Sequence, residues 1–136
     1  TDLTSGFYMT RRVVNDMLAN GYGRIINISS VNGEKGQFGQ ANYSAAKAGM
    51  HGFTKAVAQE VASKGVTVNT ISPGYIATPM IMEVPEEIRE GIRKNIPVGR
   101  FGKPEDIARV VSFLAHEDAS FITGTNVSAN GGQYMH

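Results

Sequence analysis

Two side chains capable of proton transfer stand one helical turn apart near the middle of the chain. Tyr43 and Lys47 are four residues apart in an alanine-rich segment that predicts a helix, so they share one helix face. A tyrosine with its ordinary pKa of about 10 is a weak acid-base catalyst at neutral pH, and a nearby ammonium lowers that pKa by favouring the phenolate. The pair can therefore move a proton to or from an oxygen, although this spacing also arises by chance.

A serine placed before this pair strengthens the case for a site. Ser30 lies thirteen residues before Tyr43, at the end of a short β-branched segment that predicts a buried strand. Ligands of open α/β sheets bind at the carboxyl ends of the strands, so Ser30 can hold a substrate carbonyl oxygen near the tyrosine. Ser29 is an equal candidate by composition, and either serine can simply end the strand.

Alternating helices and strands must position these side chains. The predicted elements, in chain order, are a helix at 1–18, a strand at 24–30, a glycine-rich loop at 31–40, a helix at 41–63, a strand at 66–71, a loop to Met82, helices at 84–95 and 104–115, and a strand at 126–129. This order favours βαβ units and a parallel sheet. The fold class is α/β, a Rossmann-like doubly wound parallel sheet. Three strands make a thin sheet, so we expect residues 1–136 to be the C-terminal half of a single domain.

Composition removes several classes of function. The formal charge is only +1, which gives no basic surface for nucleic acid, and no apolar run reaches membrane-spanning length. Without cysteine, disulfides, thiolate catalysis and cysteine-based zinc sites are excluded. The three histidines show no metal-ligand spacing, so we expect no metal, and packing or surface roles for His51, His116 and His136. The lack of cysteine fits the cytoplasm, where we expect the protein to reside.

Three ordered motifs resemble the short-chain dehydrogenase/reductase family. They are Asn27-Ile28-Ser29-Ser30, the run from Asn42 to Gly49, and Val68 to Gly74, with Thr123-Gly124 and Asn130-Gly131-Gly132 matching the family's C-terminal end. The resemblance covers nearly the whole chain. Together the motifs are specific, although none is specific alone.

The resemblance implies a role for each candidate residue. Ser30 would polarise a carbonyl, Tyr43 would donate a proton as hydride arrives from the nicotinamide, and Lys47 would favour the phenolate and bind the nicotinamide ribose. The family often has an asparagine that anchors a relay water; Asp2 stands at that position, so either it holds the water or it caps the helix. The cofactor-binding residues implied by the resemblance are Tyr43, Lys47, Pro73, Gly74, Ile76 and Thr78.

The loop before Tyr43 indicates the substrate. It resembles the loop of the acetoacetyl-CoA reductase group, which implies reduction of a 3-oxoacyl thioester, acetoacetyl-CoA to 3-hydroxybutyryl-CoA, as in polyhydroxybutyrate biosynthesis. Reductases of 3-oxoacyl-[acyl carrier protein] share the same core and are the alternative. NADPH follows from the resemblance, with NADH left open. The predicted substrate-binding residues are Ser30, Gln37, Phe38, Gln40 and Tyr75.

The family's glycine-rich phosphate turn has no counterpart in this sequence. We therefore expect the N-terminal dinucleotide-binding half to lie outside residues 1–136, and such a fragment alone to be inactive. The resemblance also implies a homotetramer formed through the helices at 1–18 and 41–63. An alternative of another class is a truncated, non-catalytic paralogue that uses these two helices as an interaction module.

Overall fold

The computed structural model describes the backbone of residues 2–30 and 41–135 and the side chains of residues 4–30 and 45–135. Helices and strands alternate through these ranges. In chain order they are α1 (Asp2–Asn20), β1 (Gly23–Ile28), α2 (Ala41–Val61), β2 (Val66–Pro73), α3 (Pro79–Met82), α4 (Glu86–Lys94), α5 (Pro104–Ala115) and β3 (Asn126–Ala129), with a 3-10 turn at Ala62–Lys64 after α2.

The three strands form one parallel sheet in the order β1-β2-β3. Ile25 pairs with Val68, and Ile71 pairs with Val127. The central strand β2 is buried from Val66 to Ser72, as expected for a parallel strand covered on both faces. The predicted α/β class with a parallel sheet is confirmed.

Helices cover both faces of this sheet. On one face, Ile25, Val66 and Val68 pack against Ala58 and Val61 of α2, and α1 adds partly buried apolar side chains. Arg24, whose side chain points to the opposite face because strand residues alternate, donates hydrogen bonds to the carbonyl oxygens that follow α5. Helix α5 contacts all three strands. The arrangement is that of a doubly wound sheet.

Several predicted boundaries were wrong by a few residues. Strand β1 ends at Ile28 rather than Ser30, and β2 continues to Pro73 rather than stopping at Ile71. Helix α2 ends at Val61, two residues before the predicted end. Gly65 then adopts a φ of +80°, a left-handed conformation that favours glycine. Its neighbour is the turn at Gly21, whose carbonyl oxygen would clash with any Cβ at Gly65.

The segment predicted as a loop up to Met82 contains the short helix α3. Pro79 occupies its first turn, and the Thr78 hydroxyl accepts a hydrogen bond from the Ile81 N–H at 3.4 Å. This is an N-cap, a local signal that the sequence does carry. Across residues 2–30 and 41–135, no helix has both the length and the apolar character needed to cross a membrane.

Candidate active site

The candidate site lies at the carboxyl ends of β1 and β2. Because the two strands are parallel neighbours, the residues that follow them emerge at the same edge of the sheet. The ladder continues one residue past β1, where the Ser29 N–H donates to the Ile71 carbonyl oxygen at 2.7 Å. Ser30 follows directly, and Pro73-Gly74 closes β2.

The structure separates the two serines that the sequence left as equals. Ser29 is buried, with 5% of its surface exposed, and its hydroxyl donates to the Lys47 carbonyl oxygen at 3.2 Å. Ser30 is half-buried. Because Ser30 is more exposed than Ser29, Ser30 is the better candidate to meet a substrate.

Tyr43 and Lys47 both belong to α2. Only the backbone of Tyr43 falls within the described residues, and Lys47 follows one helical turn later on the same face. Lys47 is half-buried and lines an open cavity of about 370 Å³ together with Asn27 and Ile28 at the end of β1. An ammonium placed here lies beside the strand end that carries the serines.

The first turns of α1 line this same cavity through Ser5, Gly6 and Met9. Asp2 begins that helix, but its side chain lies outside the described residues, so its part in a water relay stays a prediction. The predicted substrate residues before α2 also lie outside the described residues; they are Gln37, Phe38 and Gln40.

The segment after β2 contacts a different part of the chain. The Gly102 N–H donates to the Tyr75 carbonyl oxygen at 2.9 Å, and the Ala77 N–H donates to the Gly102 carbonyl oxygen at 2.8 Å. Tyr75 and Ile76 line a second cavity of about 290 Å³ with Ile96. Among the described residues, therefore, Lys47 and the Tyr75-Ile76 pair line two separate cavities.

Gly74 is explained by packing within the chain. A Cβ at this position would lie 2.7 Å from the Asn130 Cβ and 2.9 Å from the Gln133 Oε1. The turn thus needs glycine because the C-terminal segment presses against it. Contact of Pro73 and Gly74 with a cofactor stays a prediction.

Comparison with known proteins identifies the chain. The protein family described as Enoyl-(Acyl carrier protein) reductase matches residues 1–134. The chain belongs to the short-chain dehydrogenase/reductase family.

The relatives of this short-chain dehydrogenase/reductase chain include acetoacetyl-CoA reductases. The chain is 58% identical to the acetoacetyl-CoA reductase of Allochromatium vinosum over 99% of its own length and 55% of that protein. It is 61% identical to the acetoacetyl-CoA reductase of Rhizobium meliloti over 99% of this chain and 56% of the relative. It is 49% identical to the 3-oxoacyl-[acyl-carrier-protein] reductase FabG of Haemophilus influenzae over 99% of this chain and 56% of that protein. The chain spans about half the length of the curated relatives it matches.

The residue types at this edge fit a nicotinamide cofactor of the kind the family implies. Lys47 supplies an ammonium with three donors beside the end of a parallel strand, suited to ribose hydroxyls. The Thr78 hydroxyl accepts from Ile81, and a hydroxyl that accepts a hydrogen bond still has a hydrogen to donate. Within the part of the chain that the structure describes, no group of three or more His, Asp or Glu side chains is placed to hold a metal ion.

Sequence reasoning missed a set of buried and half-buried polar side chains between α2 and the sheet, named here the polar layer. Its members are Asn27, His51, Thr54, Thr70, Ser72 and Asn126. Thr54 accepts from the Asn27 amide at 3.0 Å and from the Thr70 hydroxyl at 2.8 Å. Ser72 donates to the Asn126 Oδ1 at 2.7 Å and lies 3.3 Å from the His51 Nε2. The packing role expected for His51 is thus a hydrogen-bonded one.

Proposed function

We propose that this chain carries the proton-donating part of a nicotinamide-dependent oxidoreductase that reduces 3-oxoacyl thioesters. Family membership is one support. The observation that carries the proposal is the edge of the sheet where Ser30 follows β1 and Lys47 borders the same strand end. A buried Ser29 fixes Lys47 to that edge through its carbonyl oxygen.

Each residue has a distinct part in the proposed reaction. Ser30 donates a hydrogen bond to the substrate ketone oxygen and makes its carbon more electrophilic. When bound, the nicotinamide, proposed to be NADPH, supplies the hydride that reduces this carbon. Tyr43 gives its phenolic proton to the ketone oxygen as that oxygen gains charge. Lys47 stabilises the resulting phenolate and holds a ribose hydroxyl.

Other residues are proposed for binding. Pro73, Gly74, Ile76 and Thr78 would contact the nicotinamide end of the cofactor, and Asp2 would hold a relay water. Gln37, Phe38, Gln40 and Tyr75 would contact the acyl thioester. The cavity at Tyr75 and Ile76 also includes apolar Ile96 and Val98, beside Arg100 and Asp106, which pair with each other. Its apolar part suits an acyl chain.

Among thioesters we propose acetoacetyl-CoA as the substrate. The support is a higher identity to acetoacetyl-CoA reductases, 52% to 61%, than to two 3-oxoacyl-[acyl-carrier-protein] reductases, 49% and 50%. The product would be 3-hydroxybutyryl-CoA. An acyl carrier protein substrate is the second candidate, supported by the matches to those two reductases.

We also propose a homotetramer formed through α1 and α2. The two helices pack together, and Phe7 and Phe53 meet edge to face with ring centroids 6.3 Å apart. Phe7, Tyr8 and Met9 are 48%, 58% and 64% exposed, an apolar surface of the kind that pairs with another subunit. Sedimentation of the full-length protein should give a tetramer that Phe7→Glu dissociates. The cytoplasmic location stays a prediction.

Turnover of the full-length protein tests the reaction. The fall in NADPH absorbance with acetoacetyl-CoA is compared in wild type, Tyr43→Phe and the control Tyr22→Phe, which removes the same hydroxyl from an exposed tyrosine at the amino end of β1. We expect a large loss of kcat only in Tyr43→Phe, and a higher kcat/KM with acetoacetyl-CoA than with the acyl carrier protein thioester. Undiminished turnover in Tyr43→Phe would refute the assigned proton donor.

A further inference from the structure

The polar layer connects the helix that bears Tyr43 and Lys47 to the ends of the strands. His51 follows Lys47 by one turn of α2, and Ser72 immediately precedes the Pro73-Gly74 turn. The His51 Nε2 lies 3.3 Å from the Ser72 hydroxyl oxygen. This hydrogen bond therefore joins α2 to the residue of β2 that directly precedes the turn.

We propose that His51 is a positioning residue, which acts through Ser72 to fix the distance between α2 and the Pro73-Gly74 turn. The inference rests on the proposed function, because it assigns that distance a part in aligning the proton donor with the bound cofactor. His51 touches neither substrate nor cofactor in this scheme. Its effect on turnover is exerted through the placement of Lys47 and Tyr43.

The direction of each hydrogen bond follows from the chemistry of a hydroxyl. Ser72 has one hydrogen, and it is donated to the Asn126 Oδ1 at 2.7 Å. The Ser72 oxygen then accepts from His51, which places a proton on the His51 Nε2. The contact thus links α2 to both β2 and β3. Ser72 is fully buried, so water cannot replace His51 as the donor without opening the interface.

A second contact on the same helix serves as an internal comparison. Thr54 is one turn further from the site, and it is tied to Asn27 and Thr70 by two hydrogen bonds. Thr54 is 1% exposed, so removing its hydroxyl leaves the buried Thr70 hydroxyl and the half-buried Asn27 amide without this partner. That loss destabilises the fold, and it falls on Asn27 of β1 and Thr70 of β2 rather than at the Pro73-Gly74 turn. Thr54→Val therefore reports the cost of losing hydrogen bonds between α2 and the sheet away from that turn.

The experiment compares four forms of the full-length protein: wild type, His51→Leu, His51→Gln and Thr54→Val. Glutamine places an amide N–H near the position of the histidine Nε2, whereas leucine keeps apolar volume and provides no donor. Three quantities are measured for each form: kcat and KM for NADPH oxidation with acetoacetyl-CoA, the unfolding temperature, and the hydrogen exchange rate of the Gly74 amide. That amide donates to the Ala129 carbonyl oxygen at 3.0 Å and reports directly on the turn.

We expect His51→Leu to lower kcat by about tenfold with KM nearly unchanged, since a displacement of about 1 Å can cost about a hundredfold in rate. His51→Gln should regain most of this loss. Thr54→Val should lower the unfolding temperature by as much as His51→Leu and lower kcat much less. Exchange at Gly74 should be faster in His51→Leu than in Thr54→Val.

Three results would overturn the inference. They are a normal kcat in His51→Leu, a His51→Gln variant as slow as His51→Leu, and a Gly74 amide that exchanges equally in His51→Leu and Thr54→Val. A wild-type protein that reduces no 3-oxoacyl thioester refutes the proposed function instead. In that case the exchange of Gly74 still decides whether His51 holds the turn.

Discussion

Replacing Ser29 and Ser30 one at a time should separate stability from turnover. The two serines are adjacent and chemically identical, but Ser29 is buried and bonded to the Lys47 carbonyl oxygen while Ser30 is half-buried. We expect Ser29→Ala to destabilise the protein and Ser30→Ala to stop the reaction. Each variant is the matched control for the other.

The magnitude for Ser29→Ala follows from its single hydrogen bond of 3.2 Å. The Lys47 carbonyl still accepts the intrahelical bond from four residues later, so no buried acceptor is left without a partner. The cost is then the net worth of one hydrogen bond, about 1 kcal/mol, or roughly a fivefold fall in the folding equilibrium constant. For a domain of about 150–250 residues this corresponds to a fall of about 2–4 °C in Tm.

The magnitude for Ser30→Ala is set by the transition state. Removing one hydrogen bond to an oxygen that gains charge lowers kcat by about 100- to 1000-fold. Because Ser30 is half-buried, its loss should change the free energy of unfolding by no more than the net worth of one hydrogen bond, about 1 kcal/mol.

Thermal unfolding and NADPH oxidation with acetoacetyl-CoA are measured on both variants of the full-length protein. The reasoning is refuted if Ser29→Ala loses turnover to the same degree as Ser30→Ala. It is also refuted if Ser30→Ala turns over normally, because the carbonyl would then be held by another group.

Three further predictions concern stability. Gly74→Ala should cost about 1–3 kcal/mol in thermal unfolding, because its Cβ would lie 2.7 Å from the Asn130 Cβ; wild-type stability would contradict this packing. The Arg100 hydrogen bond, followed by that of a backbone N–H, lowers the pKa of Asp106 from 3.8 to about 2. A lowered carboxylate pKa stabilises the fold above about pH 4 and ceases to do so as the pH falls toward 2. The urea midpoint of Asp106→Asn should therefore change less between pH 4 and pH 2 than the midpoint of wild type. An equal change in both proteins would contradict a stabilising Arg100–Asp106 pair. Leu114→Ala should lower the free energy of unfolding in urea by about 2–5 kcal/mol, since Leu114 is fully buried. A loss below 1 kcal/mol would show that neighbouring side chains fill the cavity.

The order and type of the principal elements were predictable because their signals are local. Gly21 and Gly65 mark the ends of helical segments, and both adopt positive φ. The boundary at Ser29 and Ser30 was harder, because a strand end depends on its partner. The last paired residues of β1 and β2 are Ile28 and Ile71, the last hydrogen bond of the ladder comes from the Ser29 N–H, and no residue of β1 alone indicates that point.

The polar layer was not predicted because its members are far apart in sequence. Asn27 and Thr54 are 27 residues apart, and Ser72 and Asn126 are 54 apart. The sequences of β2 and α2 nevertheless each indicate the polar layer. Along β2 the residues facing α2 change from Val66 and Val68 to Thr70 and Ser72.

Along α2 the residues that face the sheet change in the opposite order, from polar to apolar. His51 and Thr54 precede Ala58 and Val61 on the face toward the sheet, and because α2 and β2 are antiparallel to each other, the polar halves meet at the carboxyl ends of the strands. Apolar contacts are not directional, so Ala58 and Val61 alone would tolerate small shifts of the helix. Hydrogen bonds weaken steeply with distance and angle, so the contact between His51 and Ser72, one turn of α2 after Lys47, fixes the position of Lys47 against the sheet. The less hydrophobic end of this interface is therefore the end at which the position of the helix matters for the chemistry.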